Sequence, residues 1–203
     1  MPRVVPRYKE QARERIVDAA LRVFAEKGYH EATMEDVADR LGVSEGTIYL
    51  YFKSKRELFK AISDLGEHDV AKVLSSAMQS NDPVKSFFEL ATDVYEQYEP
   101  LSGLLVELLA EASRDASLRK LVRDDFEKDR ETMQKFLADL RKHGRIGAET
   151  DMNSISMAIL FLFYGYAITR LLGIGKNEAK RACGEAMKVM LDGTLMNSQR
   201  KRP

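Results

Sequence analysis

Thr33–Lys55 reads TMEDVADRLGVSEGTIYLYFKSK. The spacing predicts two short helices around a tight turn, followed by the start of a third. Thr33 stands where an N-cap belongs, and Asp36 three residues later completes a capping-box pattern. Val37, Ala38 and Leu41 place apolar groups on one face of the first short helix. Gly42 follows, where a helix ends at least cost in a left-handed conformation. Val43 plugs the turn, and Ser44 is placed to cap the second helix. In that helix Ile48 and Phe52 are four apart, so one face packs inward while its start faces out. Ser54 with Glu57 repeats the capping pattern and opens a further helix. Two capped helices joined through Leu41-Gly42-Val43 make a helix-turn-helix, whose second helix enters the major groove of DNA with its N-terminal end first.

The flanking sequence supports that unit. Ile16, Ala19, Ala20, Val23 and Phe24 fall at helical spacing in a first helix expected over 10–27, ended by Gly28. This stripe is the floor for the two short helices. Before it, Arg3, Arg7 and Lys9 stand among Pro2 and Pro6, which discourage a helix. Two readings of this arm stay open: a basic extension reaching a minor groove, or a solvated tail. Glu45 is likewise open to two readings. An acid at a helix start is favoured by the dipole, and a carboxylate can also accept from cytosine N4. Lys53, Lys55 and Arg56 cluster just after the recognition helix, with Lys55 at a helix N-terminus whose amides attract phosphate.

The run Ala32–Phe59 resembles the DNA-binding signature of TetR-type transcriptional repressors. The matching residues are Thr33, Val37-Ala38, Gly42-Val43-Ser44, Gly46-Thr47-Ile48-Tyr49, Tyr51-Phe52, and Lys55 with Leu58. The match continues N-terminally through Ile16–Gly28 and covers about the first third of the chain. The resemblance implies that Thr47, Tyr49 and Lys55 hold phosphates and that positions 44–51 include the base readers. Together with the residue reading, this gives an expected DNA-binding set. It comprises Arg7, Thr33, Ser44, Glu45, Gly46, Thr47, Tyr49, Tyr51, Lys53 and Lys55.

The totals bound the rest. The 203 residues carry 32 Lys and Arg against 32 Asp and Glu, so nucleic-acid binding must come from local charge and shape. Cys183 stands alone and forms no intrachain disulfide, and no secretory signal precedes the first helix, which together lead us to expect a cytoplasmic protein. His30, His68 and His143 are scattered, with no metal-site spacing. No nucleophile–base–acid set and no phosphate-cradling glycine loop is present, so neither an enzyme nor a cofactor is expected. The longest apolar run, 157–168, falls short of the roughly 18 or more residues that span a bilayer, and no membrane partner is expected.

Beyond residue 60 the pattern is helical to the end. A fourth helix runs from Ser54 toward Met78 and is broken by Asn81-Asp82-Pro83. Further helices are expected over 83–98, 101–113, 118–142, 151–172 and 177–196. The fold class is all-α with about nine helices. A three-helix DNA-binding domain (1–60) precedes a larger effector-binding and dimerisation domain (61–197) and a basic tail (198–203).

The eighth helix is apolar nearly all round, and the ninth carries small residues and methionines on one stripe. Both point to a two-fold dimer face, through Ala158, Phe161, Leu162, Ala179, Cys183, Ala186, Met187 and Met190. The resemblance implies an apolar effector pocket in the second domain. Phe87, Leu105, Leu108, Phe126, Met133, Phe136 and Phe161 are its candidate walls, and Tyr95, Glu107 and Tyr164 its candidate polar groups. The expected function is a dimeric repressor on a pseudo-palindromic double-stranded DNA operator, released by a hydrophobic effector such as a long-chain acyl thioester. The alternatives are a repressor of an efflux system sensing drugs or other lipophiles, and a ligand-independent DNA-binding structural dimer.

Overall fold

Helices make up all the regular structure of the described residues, 6–97 and 102–200, in a computed structural model of the chain. In order they are α1 (Pro6–Glu31), α2 (Met34–Leu41), α3 (Glu45–Tyr49), α4 (Lys55–Met78), α5 (Pro83–Gln97), α6 (Ser102–Ala112), α7 (Ala116–Lys142), α8 (Met152–Leu171) and α9 (Lys176–Arg200). The boundaries agree closely with the sequence pattern, with two corrections. Pro6 does not keep residues 6–9 out of a helix; it is the first residue of α1, where a missing N–H costs nothing. The recognition helix also stops at Tyr49 instead of continuing to Phe52. The expected arm at Arg3, the Arg7 side chain and the last three tail residues lie outside the described set.

The chain divides into two compact units. The first is 1–66 together with 103–121; the second is 67–102 together with 122–203. This differs from the division expected at residue 60, because α6 and the first turn of α7 group with the N-terminal helices. Both α4 and α7 run unbroken through the division.

In the first unit α1 supplies the expected floor: Ile16, Ala19, Ala20, Val23 and Phe24 are buried. Val37 and Ala38 of α2, Ile48 and Phe52 around α3, and Leu58 of α4 close the core over it. Phe24, Tyr29 and Phe59 make a ring cluster with centroids 5.5–6.4 Å apart. Gly28 breaks α1 at φ 76° and ψ 173°. The backbone sign favours glycine, and a Cβ there would push against the Glu107 carboxylate.

The second unit has a continuous apolar core. Phe87 of α5 packs at a tilt against Phe136 of α7, with centroids 5.0 Å apart, and meets Phe163 of α8 edge-on at 5.6 Å. Leu137, Leu140, Ile159, Met187 and Leu191 complete it. A buried polar tie crosses this unit: the Tyr166 hydroxyl donates to Glu96, which also faces Arg170 at 3.8 Å and Lys176 at 3.6 Å. Burial and the Glu96 carboxylate hold the Tyr166 hydroxyl well above its ordinary pKa. By length and composition α8 is apolar enough to cross a bilayer, with mean hydropathy 1.5, but the core helix of a soluble protein passes the same test. Only 28% of that window is buried within the chain, so much of its apolar surface is left uncovered.

Candidate nucleic-acid interface

The helix-turn-helix is held by local caps. Thr33 Oγ1 accepts from Asp36 N at 3.1 Å, and Asp36 Oδ2 accepts from Thr33 N at 3.0 Å. Lys27 Nζ donates to Asp36 Oδ1 at 2.6 Å. The Lys27 ammonium and the Thr33 groups lower the pKa of Asp36. Thr33 is therefore a cap first, although it stays exposed. Gly42 closes α2 at φ 66°, and Val43 N returns to Ala38 O at 3.1 Å. Ser44 stands at the N-cap of α3, but its hydroxyl does not cap the backbone as the sequence suggested. It shares a 2.9 Å hydrogen bond with Thr47 Oγ1 instead.

Burial of Ile48 and Phe52 fixes the rotation of α3. The face turned away carries Ser44, Glu45, Gly46, Tyr49 and Leu50, all exposed, with Tyr49 at 40% and Leu50 at 71%. Thr47 and Tyr51 flank it half-buried. Lys53 is exposed and donates to Tyr49 O at 3.0 Å, so its ammonium stays beside the helix end. Behind the face, the Arg13 guanidinium lies 4.2 Å from the Phe52 ring centroid and donates to Tyr51 O at 3.2 Å. Arg13 was not singled out in the sequence, because nothing in an amphipathic pattern says which charged residue folds back over an aromatic.

Lys55 departs from its expected role. Its ammonium donates to Tyr29 O at 2.6 Å, His30 O at 2.9 Å and Ala32 O at 2.8 Å, and lies 4.7 Å from the Tyr29 ring centroid. An ammonium has three N–H donors, and all three meet carbonyls left open where α1 ends. Desolvation lowers its pKa. Arg56 is likewise engaged internally, donating to the Ser117 hydroxyl and, at 2.5 Å, to its carbonyl. Of the expected basic cluster, Lys53 is the member that faces outward.

Glu107 is also reassigned. Its carboxylate accepts from Tyr29 N at 2.9 Å and His30 N at 2.7 Å, the amides freed by the break at Gly28. It is a backbone clamp within the first unit and not a ligand-orienting group. Leu108 is buried in that same unit, and Leu105, half-buried, belongs to it as well. In the second unit Phe87, Met133 and Phe136 are packed core, buried to 4% or less. Phe126 stacks on Tyr164 at 6.0 Å and on Phe161 at 6.4 Å. Burial, with Asp129 and Asp125 nearby, pushes the Tyr164 hydroxyl up to about 12. The Tyr95 hydroxyl pairs with Ser102 Oγ at 2.8 Å. A groove of about 880 Å³ on this unit lies elsewhere, between the start of α5 and α9, and none of the expected effector residues lines it.

The expected dimer face splits in two. Ala179 and Met187 are buried in the chain's own core; Leu162, Cys183 and Met190 pack against it. The Cys183 thiol points to Leu162 O at 3.7 Å, and burial raises its pKa. Ala158 is half-buried, while Phe161 (58%) and Ala186 are exposed. The uncovered stripe continues through Ile168 on α8 and Leu172 at its C-cap, and through Ala182 and Val189 on α9. These follow Phe161 and Ala186 at helical spacing, a signal present in the sequence but ambiguous between two apolar faces.

Comparison with known proteins bears on the same residues. The family model for bacterial regulatory proteins of the tetR family matches residues 16–62. The HTH-type transcriptional regulator UidR of Escherichia coli (strain K12) is 24% identical over 191 residues, covering 93% of this chain and 95% of that protein. The uncharacterized HTH-type transcriptional regulator YfiR of Bacillus subtilis (strain 168) is 29% identical over 123 residues, spanning 59% of this chain and 60% of that one. Among solved structures, Salmonella enterica GusR shares the fold at a TM-score of 0.77, with 23% identity over 96% of this chain and all (100%) of that one.

Proposed function

We propose that this chain, which matches the tetR family of bacterial regulatory proteins over residues 16–62, acts as a cytoplasmic homodimeric repressor of a pseudo-palindromic operator. The observation carrying the reading is the outward face of α3, where Ser44, Glu45, Gly46, Tyr49 and Leu50 stand exposed over a fully packed back. Phosphate contacts from Thr47, Tyr49 and Lys53 set register, and the outward side chains read bases. Tyr51 and the N-terminal segment with Arg7 extend the contact along the backbone. Dimerisation uses the uncovered stripe of α8 and α9, through Ala158, Phe161, Ile168 and Leu172 with Ala182, Ala186 and Val189. Two copies then place two reading heads about 34–36 Å apart, on successive major grooves.

Release follows from differential affinity. An effector lowers operator occupancy only if it binds the arrangement that misfits DNA more tightly. The stacked rings of Phe126 and Tyr164, beside Phe161 of the dimer stripe, are an apolar surface in the second unit that a lipophilic effector such as an acyl thioester or a drug would use. The ligand-independent reading draws on the packing of Phe87, Met133 and Phe136, which leaves those residues no room for a guest.

Selection of full-length protein on random-sequence duplexes, followed by anisotropy titration, tests the DNA reading. An inverted repeat bound by one or two dimers is the expected result. Enrichment of nothing, or of a single half-site bound by a monomer, would overturn it. Native mass spectrometry of the same preparation separates the effector readings: a stoichiometric lipophile supports the first, an empty dimer the second.

A further inference from the structure

Two features of the recognition helix have no explanation inside the fold. Gly46 is one. Its φ is not positive, and a Cβ built on it would meet nothing nearer than Ser44 Oγ at 3.8 Å. Alanine would fit, and would favour the helix by about 1 kcal/mol. Leu50 is the other. It is an aliphatic residue, 71% exposed, in right-handed helical geometry at φ −67° and ψ −27°.

These two features coincide in space. With about 100° per residue, Gly46 and Leu50 fall within about 20° of the direction opposite Ile48, one turn apart. Ile48 is fully buried, so 46 and 50 form the outermost ridge of α3. The ridge that goes deepest into a major groove therefore carries no hydrogen-bonding side chain. It presents bare backbone, then an isobutyl group. The polar groups, Glu45, Thr47 and Tyr49, sit on its flanks.

In the major groove the thymine C5-methyl is the apolar group that distinguishes one base from the others. We propose that Leu50 determines specificity by packing on a thymine methyl in each half-site, and that Gly46 is glycine so that the base edges can come close enough for this contact. The proposal rests on the DNA-binding reading above and adds the base feature that is read.

The test uses the full-length protein and the duplex it selects. Each thymine is replaced in turn by deoxyuridine, which removes only the methyl. For the wild-type protein, at least one replacement per half-site weakens binding by about fourfold, the worth of one buried methyl-sized group. In Leu50→Ala that thymine and deoxyuridine bind equally. Since Leu50 is exposed, the variant keeps the wild-type thermal transition, which excludes misfolding as the cause. The proposal is overturned if no replacement weakens the wild type, or if Leu50→Ala keeps the full methyl penalty. Enrichment of no sequence would remove the DNA-binding reading itself, so the two failures are distinct.

Discussion

The two units are held together by different chemistry. The first rests on polar ties to backbone at its turns: the Thr33–Asp36 box, the left-handed Gly42 cap, and the break at Gly28 gripped by Glu107 from one side and Lys55 from the other. The second rests on a continuous apolar core from Val73 to Leu191, with few polar groups inside it. A small surface must be held in one geometry, and short hydrogen bonds to turn backbone do that on top of the unit's own apolar core around Phe24, Val37, Ile48 and Phe52. A body that buries long helices gets most of its stability from area, with the Tyr166–Glu96 tie as a polar crossing within it.

The sharpest way to break this contrast is on α9, where neighbouring residues face opposite environments. Met187 is 1% exposed in the second core, while Ala186 is exposed. Met187→Glu buries a charge and costs several kcal/mol, enough to unfold the body, as circular dichroism would read. Ala186→Glu leaves the helices intact and gives monomers at low micromolar concentration by sedimentation. Unfolding by both variants, or a persistent Ala186→Glu dimer, would place the partner surface elsewhere.

Next in size is Lys55. If it is the clamp of the first unit, Lys55→Ala costs about 1–3 kcal/mol, the value for charge-assisted hydrogen bonds left unmade. Denaturant unfolding reads that loss. The salt slope of DNA binding stays unchanged, whereas a phosphate contact would reduce it by about one. A stable protein with a shallower slope would return Lys55 to the DNA.

The smallest effect is a pH dependence in the capping box. Asp36 has a folded pKa below its ordinary value of 3.8. Its contribution is therefore present above that ordinary value and is lost as pH falls through the folded one. Stability should decline below about pH 4, and Asp36→Asn should flatten that part of the curve. An identical acid profile in both proteins would show that the box adds nothing measurable.

The helix-turn-helix was legible because its signals are local. Thr33, Gly42 and the Ile48–Phe52 spacing each act within a few residues, so their order along the chain already states the geometry. The exposed face of α3 followed from that, as the side opposite Ile48. The internal hydrogen bonds of Glu107 and Lys55 were not legible for the opposite reason. Their partners, the amides and carbonyls around Tyr29, lie 77–78 and 23–26 positions away, and no periodicity points across that distance. The same holds for α8 and α9. The sequence shows α8 apolar nearly all round and a stripe of small residues and methionines on α9, yet only packing decides that Met187 turns inward and Val189, at 70% exposed, turns out. Sequence alone thus determined the order of the helices, most of their ends and the caps of the helix-turn-helix, since these depend on contacts within a turn or two. Tertiary structure decided which charged groups clamp the backbone and which apolar faces remain open, because both depend on where distant helices come to lie.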